Sequence, residues 1–381
     1  MPNKKFLLAL ATVIATIIGG GIFALPYAFS QAGFWPSLGI FIGLVVINIM
    51  VMLMFGEVVL RTHGTKHQAT GYAGIYLGRP GKALMMIIQM IGGFGGLLIF
   101  TIGVGDFLFD LFGGRLPESQ MMWGLAFFGV ASIFVILGIR LIARTDFIIF
   151  LMFLVIIFIM VVAAIPEISP INFAKIDLGK ILFPFGVIIF SLSGASAIPL
   201  LDDMFPGKRK QMKDVIIWGV VISAIVSLIY TLVVLGLGGE SVSQDSLATI
   251  RIHLPGSVSF LMGIFGIIAM GTSFLTSGVV LREMFEYDTK MPRLWALVLV
   301  LSVPLLLYLL NVGTFVGTIS FVGSVTGGLG AILIIWMLQR AKKIGTREPE
   351  YQVNYPKIAL GIIGGVYALA IGYEIFTLIF K

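Results

Sequence analysis

The chain has 381 residues, of which 59% are hydrophobic and only 11% are charged, against about 25% charged in a soluble domain. That balance excludes a soluble protein and indicates a polytopic, all-α membrane protein. Cysteine is absent, which excludes disulfides and thiolate metal sites, and His63, His67 and His253 show no metal-ligand spacing. The net charge of +7 fits lysine and arginine gathered on the cytoplasmic side of a membrane, and needs no nucleic acid partner.

A straight crossing takes about 20 mainly apolar residues. Eleven such spans are expected, over residues 5–29, 35–60, 82–111, 120–138, 145–165, 178–205, 212–237, 256–285, 293–310, 314–340 and 357–380. Lys4 and Lys5 ahead of an apolar run look like the start of a signal peptide. The run is too long and lacks a convincing cleavage site, so it is expected to be a retained first helix. The whole chain, 1–381, is expected to be one transmembrane domain with no soluble part.

Loop charges set the orientation. With the N-terminus inside, all but five of the 25 lysines and arginines fall on inner segments. These include Lys4, Lys5, Arg61, Lys66, Arg140, Arg144 and the cluster Lys208, Arg209, Lys210 and Lys213. Outer segments keep Arg115, Lys175, Lys180, Arg251 and Lys381. The N-terminus is therefore expected in the cytoplasm and, with an odd number of spans, the C-terminus outside.

The first span contains T-I-I-G-G-G-I-F-A-L-P, from Thr16 to Pro26. Each of Gly19, Gly20 and Gly21 costs a helix about 1 kcal/mol, and Pro26 removes a backbone donor. In hydrocarbon an opened backbone is tolerated only where it is buried in protein or lines a cavity. Ile18, Gly19, Gly20, Gly21 and Ile22 are therefore a candidate binding site. The alternative is close helix packing, which favours spaced small residues over three in a row.

The sixth span has a matching interruption, Phe190-Ser191-Leu192-Ser193-Gly194-Ala195-Ser196-Ala197-Ile198-Pro199. I-F-A-L-P closes the first break and A-S-A-I-P the second, with Pro26 and Pro199 about 173 residues apart. Paired interruptions at matching places in two halves point to an inverted-repeat transporter. Each repeat holds five spans, about 5–165 and 178–340, and the last span, about 357–380, lies outside the repeat.

Such breaks suit an amino acid zwitterion. Half-helix N-termini offer N–H groups to a carboxylate, and freed carbonyls offer acceptors to an ammonium or a cation. The acceptors are expected near Phe190, Ser191, Ser193 and Gly194. In the third span, Gly93 and Gly96 with Phe100 either clear space for a substrate side chain or form a packing seam. In the eighth span, Ala269-Met270-Gly271-Thr272-Ser273 could set two hydroxyls on one cation. On chemistry alone, hydroxyls bonded to their own i−4 carbonyls are favoured. Asp106, Asp110, Glu57 (one turn from Arg61), Asp202, Asp203 and Glu374 all sit near span ends. They are expected to be paired or solvated and not to be proton relays.

The run G-G-G-I-F-A-L-P-Y-A-F-S-Q-A-G, residues 19–33, resembles the first-helix signature of the amino acid–polyamine–organocation superfamily. The closest resemblance is to the amino acid/auxin permease family and its bacterial hydroxy/aromatic amino acid permease branch. F-S-L-S-G-A-S-A-I-P followed by M-F-P-G-K-R-K-Q-M-K-D-V, Gly105-Asp106, and G-T-S-F-L-T-S-G agree with it. The resemblance implies a LeuT-type fold, a 5+5 inverted repeat with broken helices 1 and 6, and substrate held between these and helices 3, 8 and 10. It implies secondary active transport of an amino acid by symport with Na⁺ or H⁺ as coupling ion, without a cofactor and without enzymatic activity.

The superfamily's sodium site, carried over by position, falls on Ala15, Ile18, Ala269, Thr272 and Ser273. The resemblance thereby reverses the reading that chemistry alone favours for the two hydroxyls. The lysine that replaces sodium in some proton-driven relatives is missing from residues 145–165, which favours sodium. The sixth span also lacks the glutamate of F-x-G-x-E members, which suggests a neutral substrate, aromatic or aliphatic. The expected setting is the plasma membrane, with an amino acid, a cation and lipid as partners; the oligomeric state is not legible. A sensor built on the same fold is the alternative, and would be expected to carry a longer cytoplasmic tail than the few residues ahead of Lys5.

Overall fold

The computed structural model describes residues 4–63, 67–113, 119–138, 143–205 and 209–380, without the side chains of Lys4 and residues 143–146. Lys66, Arg115, Arg140, Lys208 and Lys381, counted above for orientation, lie outside the described residues, as do Pro206, Gly207 and the side chain of Arg144. Every regular element among the described residues is helical.

The first expected span is two helices, α1 (Lys4–Ile17) and α2 (Gly21–Ala32), inclined at 51°. Across the glycines only short bonds remain: Gly19 N–H to the Ile17 carbonyl at 3.0 Å and Phe23 N–H to the Gly20 carbonyl at 3.3 Å. Gly33, at φ 96°, joins α2 to α3 (Phe34–Leu60). A Cβ at Gly33 would collide with the Lys175 carbonyl, so both the conformation and the space call for glycine.

α4 (Ala69–Phe112) is 44 residues long and is interrupted at Gly78 (φ 71°, ψ −164°). The turns before Gly78 lie where a loop was expected. They form because Tyr72, Ala73 and Tyr76 bury one side, an apolar face too short to read as a span. α5 (Gln120–Leu137) and α6 (Ala143–Ala164) follow, and 3-10 turns lead to the sixth expected span. That span is also split, into α7 (Pro184–Ser191) and α8 (Ile198–Met204). α9 (Gln211–Gly238) is continuous, and the connection after it holds the short α10 (Leu247–His253). Then come α11 (Gly256–Asp288) and α12 (Arg293–Leu309). The tenth expected span divides into α13 (Phe315–Val322), a π-helical turn (Gly323–Gly327) and α14 (Gly328–Ile344), and α15 (Lys357–Ile379) ends the chain.

Nine helices among the described residues are long and apolar enough to cross a bilayer, or ten with α1–α2 counted as one bent span. The ninth expected span is α12, whose 17 residues fall short of the roughly 20 of a straight crossing. The long α4 packs against α5, α11, α12, α13 and α14, while α1 packs on α6 and α9, and α2 on α7 and α9. Side chains such as Leu137, Phe158, Trp336 and Phe376 point outward and stay exposed, as a lipid-facing surface requires.

At the end of the bundle where α3 finishes, the connection between α14 and α15 is tied down. Glu57 is fully buried, pairs with Arg61 at 2.8 Å and accepts the Val353 N–H at 2.6 Å. Burial, and then the Glu57 carboxylate, push the Tyr351 phenol well above its usual range, so it keeps its proton and donates to the Leu53 carbonyl at 3.1 Å. Removing one partner of a buried pair costs about 3–5 kcal/mol. Glu57→Ala is expected to lower the midpoint of thermal unfolding in detergent, and Glu57→Gln, which still accepts from Val353, to lower it less. Equal midpoints for wild type and Glu57→Ala would show that the tie contributes nothing.

Candidate substrate site

The two breaks meet. Ser191 Oγ lies 2.8 Å from the Gly21 carbonyl and 2.7 Å from that of Val187, so its single proton bridges α7 to the first turn of α2. A Cβ at Gly21 would sit 2.8 Å from Ser191 Cα, so the contact exists only because residue 21 is glycine. Across the second break, the Leu192 carbonyl receives the Asn48 amide at 2.8 Å. Gly194 lets Ile17 approach, since a Cβ there would lie 2.7 Å from Ile17 Cγ1.

A cavity of about 440 Å³ opens beside the breaks. It is lined by Ala15, Ile18, Gly19, Gly20 and Gly21 from the first, and by Phe190, Ser193 and Gly194 from the second. Gly93, Gly96 and Phe100 line it from α4, and Ala269, Thr272 and Ser273 from α11. Two of the expected site residues are not part of the lining. Ile22 is buried in the packing of α2, and the Ser191 hydroxyl is spent on backbone carbonyls. Among the described lining residues there is no Asp, Glu, Lys, Arg or His. Polarity therefore comes from hydroxyls, amides and the ends of half-helices.

The glycines of α4 divide their roles. A Cβ on Gly93 would meet Leu281 at 2.8 Å, which marks helix packing. One on Gly96 would meet only Phe100, at 3.8 Å, which marks open space. The α11 hydroxyls donate to the Ala269 carbonyl, Thr272 at 3.0 Å and Ser273 at 2.9 Å. Ser273 Oγ also lies 3.1 Å from where a Cβ on Gly19 would stand, so it faces the first break.

Several lining residues were not foreseen. Asn48 is a lone polar side chain within an apolar span, and that contrast was the available signal. Gly323, Thr326 and Gly327 reach the cavity through the π turn, a feature that often marks functional sites. The cluster G-S-V-T-G-G was its trace in the sequence. Tyr367 arrives from α15, the span expected to lie outside the repeat.

Among the described residues, the cavity lining reaches toward one end of the bundle. Gln68, Leu200, Met284 and Ile334 line it on the side where α4 begins and α11 ends, the side where α1 also starts. On the opposite side Phe23 packs edge-on against Phe107 at 5.0 Å and Tyr230 at 5.7 Å, all three buried. Ser246, before α10, donates its hydroxyl to the Phe23 carbonyl and holds this plug. The adjacent Asp245 is buried, which raises its carboxyl above the usual range. Asp106 accepts from Gln120, and Asp110 stands 3.8 Å from Arg251; neither lines the cavity.

A membrane bundle with two facing helix breaks beside an uncharged cavity has the LeuT-type fold. The fold matches the crystal structure of MhsT in complex with L-phenylalanine, with a TM-score of 0.68 at 16% identity over 99% of this chain and 98% of that one. It also matches Mhp1, a nucleobase-cation-symport-1 family transporter in a closed conformation with bromovinylhydantoin bound. There the TM-score is 0.64 at 14% identity over 98% of this chain and 91% of that one. The chain belongs to the tryptophan/tyrosine permease family, whose model matches residues 2–372. It is 22% identical over 372 residues to Tyrosine-specific transport system 1 of Haemophilus influenzae, covering 92% of both proteins. It is 21% identical over 375 residues to Glutamine transporter 2 of Aliivibrio fischeri, covering 94% of this chain and 96% of that one. Amino acid transporter AVT6D of Arabidopsis thaliana matches at 30% over 151 residues, 37% of this chain and 33% of that protein. Family and fold neighbours are thus transporters and not enzymes.

Two substitutions test the site. Gly20→Leu would push a side chain against Phe100, which lies 3.3 Å from a Cβ there, and against Met270. It is expected to abolish ligand-induced thermal stabilisation in a folded protein; unchanged affinity would remove the first break from the site. Asn48→Ala leaves the Leu192 carbonyl unsatisfied, at a cost of about 1–3 kcal/mol. A wild-type unfolding midpoint in that variant would show the carbonyl to be satisfied by other means.

Proposed function

We propose that this permease is a cation-coupled symporter of a neutral amino acid, working by alternating access. The observation that carries the reading is the meeting of both helix breaks on one cavity without a charged side chain. A zwitterion has no net charge to neutralise. Its carboxylate suits the amides at the start of α2, and its ammonium suits the carbonyls freed at the end of α7. A cavity of about 440 Å³ falls within the usual range for small-molecule sites. The open space beside Gly96 and Phe100 suits an aromatic or aliphatic side chain. The names of the relatives, which mention tyrosine and glutamine, support a neutral amino acid.

Sodium is the proposed coupling ion, held by the Ala15 and Ile18 carbonyls of α1, the Ala269 carbonyl, and the Thr272 and Ser273 hydroxyls. Supporting this, Ser273 faces Gly19 across the break. The two repeats, about 5–165 and 178–340, would rock around the site. With the N-terminus in the cytoplasm of a cell whose plasma membrane holds the protein, the cavity would face the cytoplasm.

The deciding experiment is thermal unfolding of the purified protein against each of the twenty amino acids, in NaCl and in KCl at equal ionic strength. A ligand that binds only the folded state raises the midpoint by mass action. Stabilisation by a neutral amino acid, greater in NaCl, is expected, and Thr272→Ala with Ser273→Ala is expected to erase the difference between salts. Stabilisation equal in both salts in the wild type would overturn sodium coupling. No stabilisation by any amino acid would overturn the substrate class.

A further inference from the structure

Glu374 lies in α15, the helix outside both repeats, and is 7% exposed. Carboxyl groups inside membrane helices are costly and mark ion or proton pathways. This one has a definite partner: Ser320 of α13 donates to Glu374 Oε2 at 2.6 Å, a length typical of a hydroxyl on a charged acceptor. Ser320 in turn belongs to a tightly packed pair of buried hydroxyls. A Cβ at Gly186 would lie 2.6 Å from Ser320 Oγ and 2.5 Å from Ser324 Oγ, so both hydroxyls stand over the same glycine of α7. Ser324 is the second residue of the π turn. The first, Gly323, packs on the Gly186 carbonyl and 2.9 Å from Phe190 Cβ by the same measure. Gly323 and Phe190 both line the cavity. Hydroxyls and close backbone packing thus run from the Glu374 carboxyl to the cavity wall.

The ionisable groups around Glu374 are few. α7, α13 and the π turn carry no ionisable side chain in their sequences. Of α14, which also packs on α15, the charged groups are Arg340, Lys342 and Lys343, near its end, whereas Ile371 of α15 meets Gly328 at its start. On α15 itself the neighbour is Tyr373. The two states of the carboxyl make different demands on Ser320. A carboxylate only accepts, so Ser320 must donate to it; a carboxylic acid can itself donate, and Ser320 then turns its proton away from Glu374.

We propose that Glu374 is a proton-binding site, and that Ser320 passes its protonation state to the π turn that forms part of the cavity wall. One proton from the medium binds a Glu374 oxygen, the Ser320 hydrogen bond reverses, and the same proton leaves at the other face after the transporter has turned. This inference rests on the reading of the chain as a coupled amino acid transporter, and it gives H⁺, the other coupling ion that the family resemblance implies, a binding residue.

The test uses the full-length protein in proteoliposomes, an equimolar radiolabelled mixture of the twenty amino acids, equal sodium on both sides and an imposed pH gradient, acid outside. Wild type is expected to accumulate label under the gradient. Glu374→Gln is expected to fall to the level of empty vesicles while still exchanging label for unlabelled mixture at equal pH. Ser320→Ala keeps the carboxyl but cuts the link, and is expected to exchange normally and accumulate less. In infrared difference spectra between acid and alkaline pH, the wild type is expected to show a protonated-carboxyl stretch that Glu374→Gln lacks. Accumulation by Glu374→Gln equal to wild type overturns the proposal, as does a wild type that exchanges but ignores the gradient. If Glu374→Gln cannot be obtained folded, unchanged accumulation by Ser320→Ala overturns it. A wild type that neither exchanges nor accumulates overturns the transporter reading instead, and the infrared band then decides the proton site by itself.

Discussion

The hydrogen bond from Ser191 to the Gly21 carbonyl joins the two places where this membrane protein gives up its helical ladder. An unsatisfied backbone group in hydrocarbon costs several kcal/mol, far more than a hydrogen bond returns in water. Helix breaks at this depth therefore persist only if each supplies what the other lacks. Gly21 brings its carbonyl close because it has no Cβ, and Ser191 reaches it from the last turn of α7. Asn48 does the same for Leu192 from a third helix. The pairing sets the breaks side by side, and the cavity is the space left next to them.

An uncharged cavity built this way has two physical advantages. Backbone dipoles and hydroxyls are already fixed, so the site needs no charge buried beforehand. The same groups are poor ligands for anything with a large net charge, which narrows the choice of substrate without a dedicated side chain. Closure on one side depends on aromatic packing of Phe23 with Phe107 and Tyr230, and Phe23 rides on α2, directly beyond the glycine break. The bend at residues 18–20 thus separates α2, which carries the plug residue Phe23, from α1, which packs on α6 and α9.

The last helix and the connection before it are more involved than their position at the end of the chain suggests. The connection is tied to α3 through Glu57, Tyr351 and Val353. α15 places Tyr367 in the cavity wall and Glu374 on Ser320, next to the π turn. Packing of Ile371 against Gly328 joins these contacts to the start of α14. The wall of the cavity formed by the tenth span is therefore held from behind by the last helix, α15.

Composition together with apolar runs of about 20 residues determined that the chain is a bundle of membrane helices, because such runs satisfy their own backbone groups only as helices. The triple glycine and the F-S-L-S-G-A-S-A-I-P run were legible as breaks, since local propensity fails there whatever the surroundings. The pairing of the breaks was legible from their matching prolines. What each residue does at the breaks was decided only by tertiary structure. Ser191 and Ile22 share the local pattern of Ser193 and Gly21, yet the first bonds a backbone carbonyl and the second packs in the core, because rotation about a helix axis decides which face meets the cavity. The helical turns before Gly78, the π turn and the contribution of Tyr367 were also left to tertiary structure. Each depends on a neighbour distant in sequence: a buried face, a glycine of α7, and a helix that folds back from the end of the chain.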